Sequence, residues 1–150
     1  MGLFFNKYKM IEYGRLTDHE EQVRRAEIFN CTRTMCNGTL FIDENNGLFY
    51  VFRPSDYFRT AIAKIQNVTS IHSDYVYDSG NDGPSSFDYG RIIFDLKDEE
   101  FAYLGCRIDS DDKFFNFSAK KEYEKAVRST MDEVCAFFKM KEGKATKTTY

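Results

Sequence analysis

One stretch decides how the rest of this chain can fold: residues 118–140, which read SAKKEYEKAVRSTMDEVCAFFKM. Its apolar residues return at steps of three or four, the spacing that puts side chains on one face of an α-helix. This apolar stripe consists of Tyr123, Val127, Met131, Val134 and Phe138. Ser118 suits the N-cap, because its hydroxyl can accept a hydrogen bond from a backbone N–H of the first turn. The pattern predicts a long amphipathic helix from Ser118 to Met140, which needs a wide apolar surface to cover.

The strands that could offer this surface begin with a hairpin. Two apolar runs, 39–43 and 48–52, flank the sequence Glu44-Asn-Asn-Gly47. Asn-Gly is the pair that most often supplies the two positive-φ residues of a tight type I′ turn. The sequence therefore predicts a two-stranded hairpin whose turn is centred on Asn46-Gly47.

Four further runs before the helix also have the character of strands. They alternate in polarity or are rich in β-branched and aromatic residues, and clusters of turn-forming residues separate them. The predicted strands are 62–77 with a kink near Asn67, 89–96, 102–108 and 114–117.

The complete pattern predicts an α+β fold in a single domain, residues 1–150. Six or seven antiparallel strands over residues 39–117 would form a sheet or partly open barrel, which the long C-terminal helix closes. Residues 1–16 are assigned to an N-terminal arm, 17–29 to a short helix and 141–150 to a flexible tail. In the short helix, Val23, Ala26, Ile28 and Phe29 are predicted to face inward, and Arg24, Arg25 and Glu27 to face solvent.

Several segments carry a resemblance to a known family. They are Phe29-Asn-Cys-Thr-Arg-Thr34, Gly38-Thr39, Phe41-Ile-Asp-Glu44, Gly47-Leu-Phe-Tyr50 and Ile65-Gln-Asn-Val68-Thr69. Together they are similar to a family of uncharacterised bacterial proteins that couple an N-terminal zinc-ribbon to a pleckstrin-homology-like domain. The paired cysteine motifs of the ribbon are missing from this chain. The resemblance implies a pleckstrin-homology-like sheet followed by a long helix.

Domains of that kind bind phosphoinositides, peptides or proteins, or serve as scaffolds. Their lipid-binding members use Lys and Arg in the first strand pair. Here the corresponding hairpin contains Asp43-Glu-Asn-Asn46, which would repel phosphate. The resemblance therefore implies protein binding rather than lipid binding.

No motif indicates an enzyme. The glycines are scattered in turns rather than gathered into a phosphate-binding loop, no Gly-x-Ser-x-Gly elbow is present, and His72 stands alone on its strand. Cys31 and Cys36 lack a second paired cluster of zinc ligands, and Asp109, Asp111 and Asp112 lack the rest of a calcium loop. We predict no catalytic residues, no metal site and no cofactor.

Charge and hydropathy narrow the partners and the compartment. The net charge is −3 and the isoelectric point is about 5.5, whereas a protein that neutralises phosphates is expected to carry a basic surface. No apolar run is long enough to span a membrane. The sequence predicts a cytoplasmic protein that binds neither nucleic acid nor membranes and keeps all four cysteines reduced.

Acidic residues are concentrated between residues 70 and 112, which carry eleven Asp or Glu and three Arg or Lys. An acidic surface speeds association with a basic partner, and flanking aromatic rings can anchor the contact. The candidate partner-binding residues are Asp78, Asp82, Asp98, Glu99, Glu100, Asp109, Asp111, Asp112, Tyr75, Tyr77, Phe87 and Tyr89. Solubility alone is the competing explanation of these acids.

Two functions fit these observations. The first is a non-enzymatic protein–protein interaction module of bacterial or phage origin, which binds a protein partner or a second copy of itself. The alternative is a small inhibitor from a phage or mobile element, an anti-CRISPR or similar anti-defence protein. Its acidic surface would bind and block a basic nucleic-acid-handling enzyme of the host.

Overall fold

The computed structural model describes residues 20–51, 61–79, 86–108 and 119–150 of the chain. These residues form two α-helices, one 3₁₀ helix and eight β-strands. The elements are α1 (Glu20–Ile28), β1 (Arg33–Met35), β2 (Leu40–Asp43), β3 (Leu48–Val51), β4 (Ala63–Lys64), the 3₁₀ helix (Ile65–Asn67), β5 (Val68–Asp78), β6 (Ser86–Leu96), β7 (Tyr103–Ile108), α2 (Ala119–Phe138) and β8 (Thr146–Thr149).

The described strands form two separate sheets of four strands, in the orders β1-β2-β3-β4 and β7-β6-β5-β8. The predicted α+β class is confirmed. The expectation that the strands form one partly open barrel is wrong, because the described strands do not close into a single sheet. The predicted arm at 1–16, the strand at 114–117 and the N-cap at Ser118 lie outside the described residues.

The chain forms two compact units. Of the described residues, 20–51, 61–68 and 96–104 belong to the first unit, and 69–79, 86–95, 105–108 and 119–150 belong to the second. The assignment of the whole chain to a single domain stays a prediction.

The hairpin of β2 and β3 is the apolar centre of the first unit. The strands pair antiparallel from Leu40 opposite Val51 to Asp43 opposite Leu48, and all eight of their residues are buried. The hairpin prediction is confirmed, but the predicted turn type is wrong. Only Gly47 of the expected pair has a positive φ, and the loop spans four residues. The reason is Asp43, whose buried carboxylate accepts hydrogen bonds from the backbone and side-chain nitrogens of Asn46.

Helix α1 contributes a polar anchor to the same unit. Arg25, predicted to face solvent, is 6% exposed, whereas Ile28, predicted to face inward, is 50% exposed. Arg25 turns inward because it donates to Glu99 at 2.7 Å and to the carbonyl of Ile62 at 2.7 Å. Glu99 also accepts from the Lys64 backbone at 2.8 Å and from the side chain of Asn67 at 2.9 Å. These hydrogen bonds compensate the cost of burying the charge of Arg25. The pattern of apolar residues in α1 would have placed this charge in solvent.

Helix α2 covers one face of the second sheet, and its predicted apolar stripe is confirmed. Val127, Met131, Val134 and Phe138 are all buried. Phe138 packs on Phe94 of β6, with ring centroids 5.3 Å apart. The helix lies close to β6 at Gly90, where an added Cβ would come within 3.2 Å of a Val127 methyl carbon. The long stripe thus covers a sheet, as the sequence required.

The end of the chain departs from prediction. Residues 141–150 were expected to form a flexible tail, but Thr146–Thr149 form strand β8. The new strand pairs with β5 in parallel, although the sequence predicted antiparallel pairs only. The cause is a set of polar contacts to β5, and these contacts define the candidate site.

Candidate strand-docking site

Strand β5 runs for eleven residues through the second sheet and holds an acid in its middle. Its neighbours in the sheet are β6 on one side and β8 on the other. Asp74 lies where β8 joins, and its side chain is 1% exposed. A buried carboxylate is costly unless it is paired and hydrogen bonded, so its partners decide what this edge of β5 can hold.

The backbone register places β8 directly alongside Asp74. The parallel pairs run from Asp74 with Thr146 to Tyr77 with Thr149. Beyond the strand, the Tyr150 N–H donates to the carbonyl of Tyr77 at 3.0 Å, and the Ser79 N–H donates to the carbonyl of Tyr150 at 2.7 Å. These backbone contacts would accept any extended segment, because they involve no side chain.

Side-chain contacts at Asp74 add chemical selectivity. The Thr146 hydroxyl donates to Asp74 Oδ1 at 2.6 Å. The Thr148 hydroxyl lies 3.1 Å from Oδ1 and 3.0 Å from Oδ2 and donates between them. Arg91 of β6 donates from Nε to Oδ2 at 2.8 Å. One carboxylate therefore binds two hydroxyls of β8 and a guanidinium of the neighbouring strand.

The balance at Asp74 favours its charged form. Burial raises the pKa of Asp74, but the hydrogen bonds from Thr146, Arg91 and Thr148 outweigh it, so the pKa lies below the ordinary value of 3.8. The site therefore presents a carboxylate at neutral pH, and a carboxylate can only accept hydrogen bonds. Whatever occupies this edge must supply the donors.

Tyr150 provides a second anchor just beyond β8. Its hydroxyl donates to the carboxylate of Asp88 on β6, and this hydrogen bond raises the pKa of Tyr150 to about 12. Lys147 lies over the ring of Tyr77, with its ammonium 4.5 Å from the ring centroid. The ammonium and the ring attract each other, so β8 is held from both of its faces.

The segment between α2 and β8 is tied to the same unit. The Gly143 N–H donates to the carbonyl of Ile71 at 2.7 Å. Glu142 accepts two hydrogen bonds from the guanidinium of Arg128, at 2.5 and 2.9 Å, and they lower the pKa of Glu142. The short segment that connects α2 to β8 is thus held in place next to β5.

His72 lies two residues before Asp74, and its contact with Asp95 indicates a structural role. Its Nδ1 is 3.1 Å from Oδ2 of Asp95, and the Ser70 hydroxyl donates to the same oxygen at 2.5 Å. A nucleophilic serine needs its proton directed at the histidine, whereas Ser70 directs it at the carboxylate. This arrangement fixes β5 to β6 and does not build a nucleophile.

The predicted aromatic anchors fall into two places. Phe87 contacts Tyr75, Tyr77 and Tyr123 of α2, with ring centroids 6.4, 5.7 and 5.4 Å apart. Tyr89 lies instead against Arg107 of β7, whose guanidinium carbon is 4.4 Å from the ring centroid. Three of the four predicted rings therefore form one cluster, beside the edge that β8 occupies.

The predicted acidic residues do not share one environment. Asp78, Asp98 and Glu100 are exposed, but the side chain of Glu99 is 5% exposed and paired with Arg25. Glu99 therefore belongs to the interior of the first unit. The remaining candidates, Asp82, Asp109, Asp111 and Asp112, lie outside the described residues.

Four residues of the site were not among the predicted site residues: Asp74, Thr146, Thr148 and Tyr150. A signal for β8 was present, because Thr is enriched in strands and 146–149 reads Thr-Lys-Thr-Thr. The segment is also rich in charge, and the sequence therefore predicted a flexible tail for 141–150. The pairing of β8 with a strand 72 residues earlier had no local signal.

Nowhere in the described ranges do three or more His, Cys, Asp or Glu side chains come together as metal ligands. The four cysteines all lie within these ranges, and none forms a disulfide. Neither α1 nor α2, the helices of the described part, has the length and hydropathy needed to cross a membrane. Comparisons of the chain with models of protein families, with curated proteins and with solved structures found no match.

Proposed function

We propose that this chain is a non-enzymatic protein-interaction module that binds a partner by receiving an extended segment along β5. Strand β8 is then the internal occupant of that docking edge. One observation carries the proposal: a buried carboxylate, Asp74, takes its hydrogen-bond donors from a short edge strand that is otherwise polar. Addition of a strand to a sheet edge is a recurrent mode of peptide recognition, in which the backbone supplies affinity and side-chain contacts supply specificity.

The composition of β8 supports its displacement. Thr146, Lys147 and Thr149 are exposed, and Thr148 is half-buried. Little apolar surface is removed from water when β8 docks, so the hydrophobic effect contributes little to holding it. Its contacts are backbone hydrogen bonds and hydroxyl contacts, which a partner segment of similar chemistry can replace.

Arg91 keeps the vacated edge viable. Its Nε stays 2.8 Å from Asp74, and its side chain is 15% exposed. When β8 leaves, Asp74 loses its hydroxyl donors but retains a charged partner on β6. The carboxylate is then neither unpaired nor dry, so the sheet can exist with β5 uncovered and ready for a partner.

The proposal also covers the kind of domain that the chain forms and its location in the cell. The sequence resemblance and the long helix α2 packed on a sheet support a pleckstrin-homology-like module. The shared use of one oxygen of Asp95 by Ser70 and His72 supports a module without catalysis. We place it in the cytoplasm, with four reduced cysteines and a protein partner or a second copy of itself.

A second candidate function is the inhibitor of a basic nucleic-acid-handling enzyme. The carboxylates of Asp98 and Glu100, which are both exposed in the β6–β7 turn, favour it. Neutralising both, as Asp98→Asn with Glu100→Gln, should slow association with a basic nuclease at low salt. An inhibition rate that does not change in this variant would remove the acidic turn from the mechanism.

The test of the first function uses the full chain and a labelled peptide of its residues 144–150. In the wild type, tethering gives β8 an effective concentration in the millimolar range, so the peptide should compete poorly. Thr146→Val with Thr148→Val removes the donors to Asp74 and keeps the β-branched shape of both residues. This variant should bind the peptide at least about tenfold more tightly, measured by fluorescence anisotropy.

Thr149→Val is the matched control, because Thr149 is exposed and pairs with Tyr77 through the backbone. It should bind the peptide as weakly as the wild type. No binding to any of the three proteins would mean that β8 is a permanent part of the sheet, and equal binding to all three would mean that the hydroxyls of Thr146 and Thr148 do not hold β8 on β5.

A further inference from the structure

We infer that the docking edge along β5 reads a pattern of hydroxyl groups: a threonine or serine, a second one two residues later, and a tyrosine two residues after that. The inference rests on the proposed function, since it names the class of segment that the same edge accepts. The pattern is visible in the occupant that the chain itself supplies, where the three positions are Thr146, Thr148 and Tyr150.

The spacing follows from strand geometry. Side chains two residues apart point to the same face of a strand, so these three side chains lie in a row. The acceptors are carboxylates of the neighbouring strands. Asp74 of β5 takes the first two hydroxyls, and Asp88 of β6 takes the third.

The chemistry of the acceptors explains why hydroxyls are required. A carboxylate that is buried by a docked segment but receives no hydrogen bond from it loses its water without compensation. The resulting cost in free energy is highest for Asp74, which is 1% exposed. Valine has the shape of threonine but brings no donor. Serine lacks the methyl group but keeps the donor, so it should replace threonine at either position.

The same chemistry excludes phosphorylated segments. A phosphate on either threonine would bring nearly two negative charges against the carboxylate of Asp74 and would remove the donor. Arg91 brings a single positive charge, which already pairs with Asp74, so it cannot balance the charge of a phosphate as well. The edge therefore takes the unmodified segment, and phosphorylation of a partner would release it.

The positions between the hydroxyls are permissive. Lys147 and Thr149 of the occupant are exposed. Lys147 contributes its contact with the ring of Tyr77, so a cation at this position adds affinity without being required.

The experiment measures a peptide panel against the full-length chain with Thr146→Val and Thr148→Val, in which the internal occupant is weakened. The parent peptide has the sequence of residues 144–150, and fluorescence anisotropy reports binding. Valine at either threonine position should weaken binding about tenfold, and serine should stay within about threefold of the parent. Phenylalanine in place of the tyrosine should cost about threefold, because this hydroxyl is exposed. The phosphothreonine peptides should not bind.

The outcomes separate this inference from the function on which it rests. If the valine, phosphothreonine and parent peptides bind alike, the hydroxyl pattern is wrong, while strand addition to β5 stands. If no peptide binds, strand addition itself fails. Asp74→Asn in the same chain provides the second check, since it should reduce the difference between threonine and valine peptides.

Discussion

Two strand pairs in this protein are held together in opposite ways. In the β2–β3 hairpin, all eight paired residues are buried, and a four-residue loop joins the strands. In the β5–β8 pair, the added strand is mostly exposed, and its partner lies 72 residues earlier in the chain. Exclusion of water from apolar side chains stabilises the hairpin, whereas two hydroxyls bound to Asp74 stabilise the edge.

The difference determines which pair can open. Separating β2 from β3 would expose the core of the first unit, so it should require unfolding of that unit. Separating β8 from β5 exposes little apolar surface, and local openings of this kind have low free energies. A short polar edge strand such as β8 is therefore expected to open before the β2–β3 hairpin does.

The largest effect is expected in the hairpin. Phe49 is fully buried, and Phe49→Ala should lower the free energy of unfolding by about 4 kcal/mol through lost burial and a cavity. Chemical denaturation measures this change. Ile28→Ala, at a residue that is 50% exposed, is the control and should change it by less than about 1 kcal/mol. Similar effects of the two substitutions would contradict the burial assigned to the hairpin.

A polar contact can also be indispensable when it is buried on all sides. Arg25→Met leaves Glu99 charged and without its guanidinium partner, which should destabilise the first unit by about 3 kcal/mol. Arg24→Met is the matched control, since its side chain is 68% exposed and should cost little. Chemical denaturation of both variants gives the difference. If Arg25→Met has the same free energy of unfolding as the parent, the inward position of Arg25 is wrong.

At the edge, the expected effect is smaller and local. Asp74→Asn removes the charge that binds Thr146, Thr148 and Arg91. Hydrogen bonds to a charged group contribute about 2 kcal/mol, so the opening of β8 should become easier by roughly that amount. Hydrogen exchange of the amides of 146–150 should accelerate, while those of the β2–β3 hairpin keep their rates. Equal acceleration in both places would make β8 part of the global unfolding unit.

The smallest effect concerns acid. Burial raises the pKa of Asp74, but hydrogen bonds from Thr146, Arg91 and Thr148 hold it below the ordinary value of 3.8, so the unfolded chain binds the proton more readily than the folded protein. The contribution of Asp74 to stability is therefore complete above pH 3.8 and is lost as the pH falls through the folded pKa. Exchange of the 146–150 amides, corrected for the intrinsic acid dependence, should report this loss. Asp74→Asn should lack it, and an identical pH profile in both proteins would contradict the assignment.

The elements that were predicted correctly are those whose sequence pattern lies within one short segment. The apolar stripe of α2, the β2–β3 hairpin and the kink before β5 were all readable, because burial on one face imposes a period on the sequence. The 3₁₀ helix Ile65–Asn67 lies where the kink was predicted. These elements needed no knowledge of distant partners.

The features that the sequence did not reveal depend on polar pairs far apart in the chain. Arg25 is buried because it binds Glu99, which lies 74 residues later in the chain. Thr146 joins the sheet because it binds Asp74, which lies 72 residues earlier. No period along the helix or the tail encodes such partners. The acids of residues 70–112 looked alike in sequence, yet Asp74 and Glu99 organise the interior while Asp98 and Glu100 face solvent.

One measurement tests most directly whether β8 is a replaceable occupant of β5. The full chain is labelled with ¹⁵N and titrated with an unlabelled peptide of residues 144–150, up to several millimolar to match the tethered strand. Strand exchange predicts that the amide signals of 146–150 move to the positions of an unstructured peptide, while those of Tyr77, Ser79 and the β2–β3 hairpin stay where a folded sheet puts them. Tail signals that do not move at the highest peptide concentration, or hairpin signals that move with them, would contradict the account.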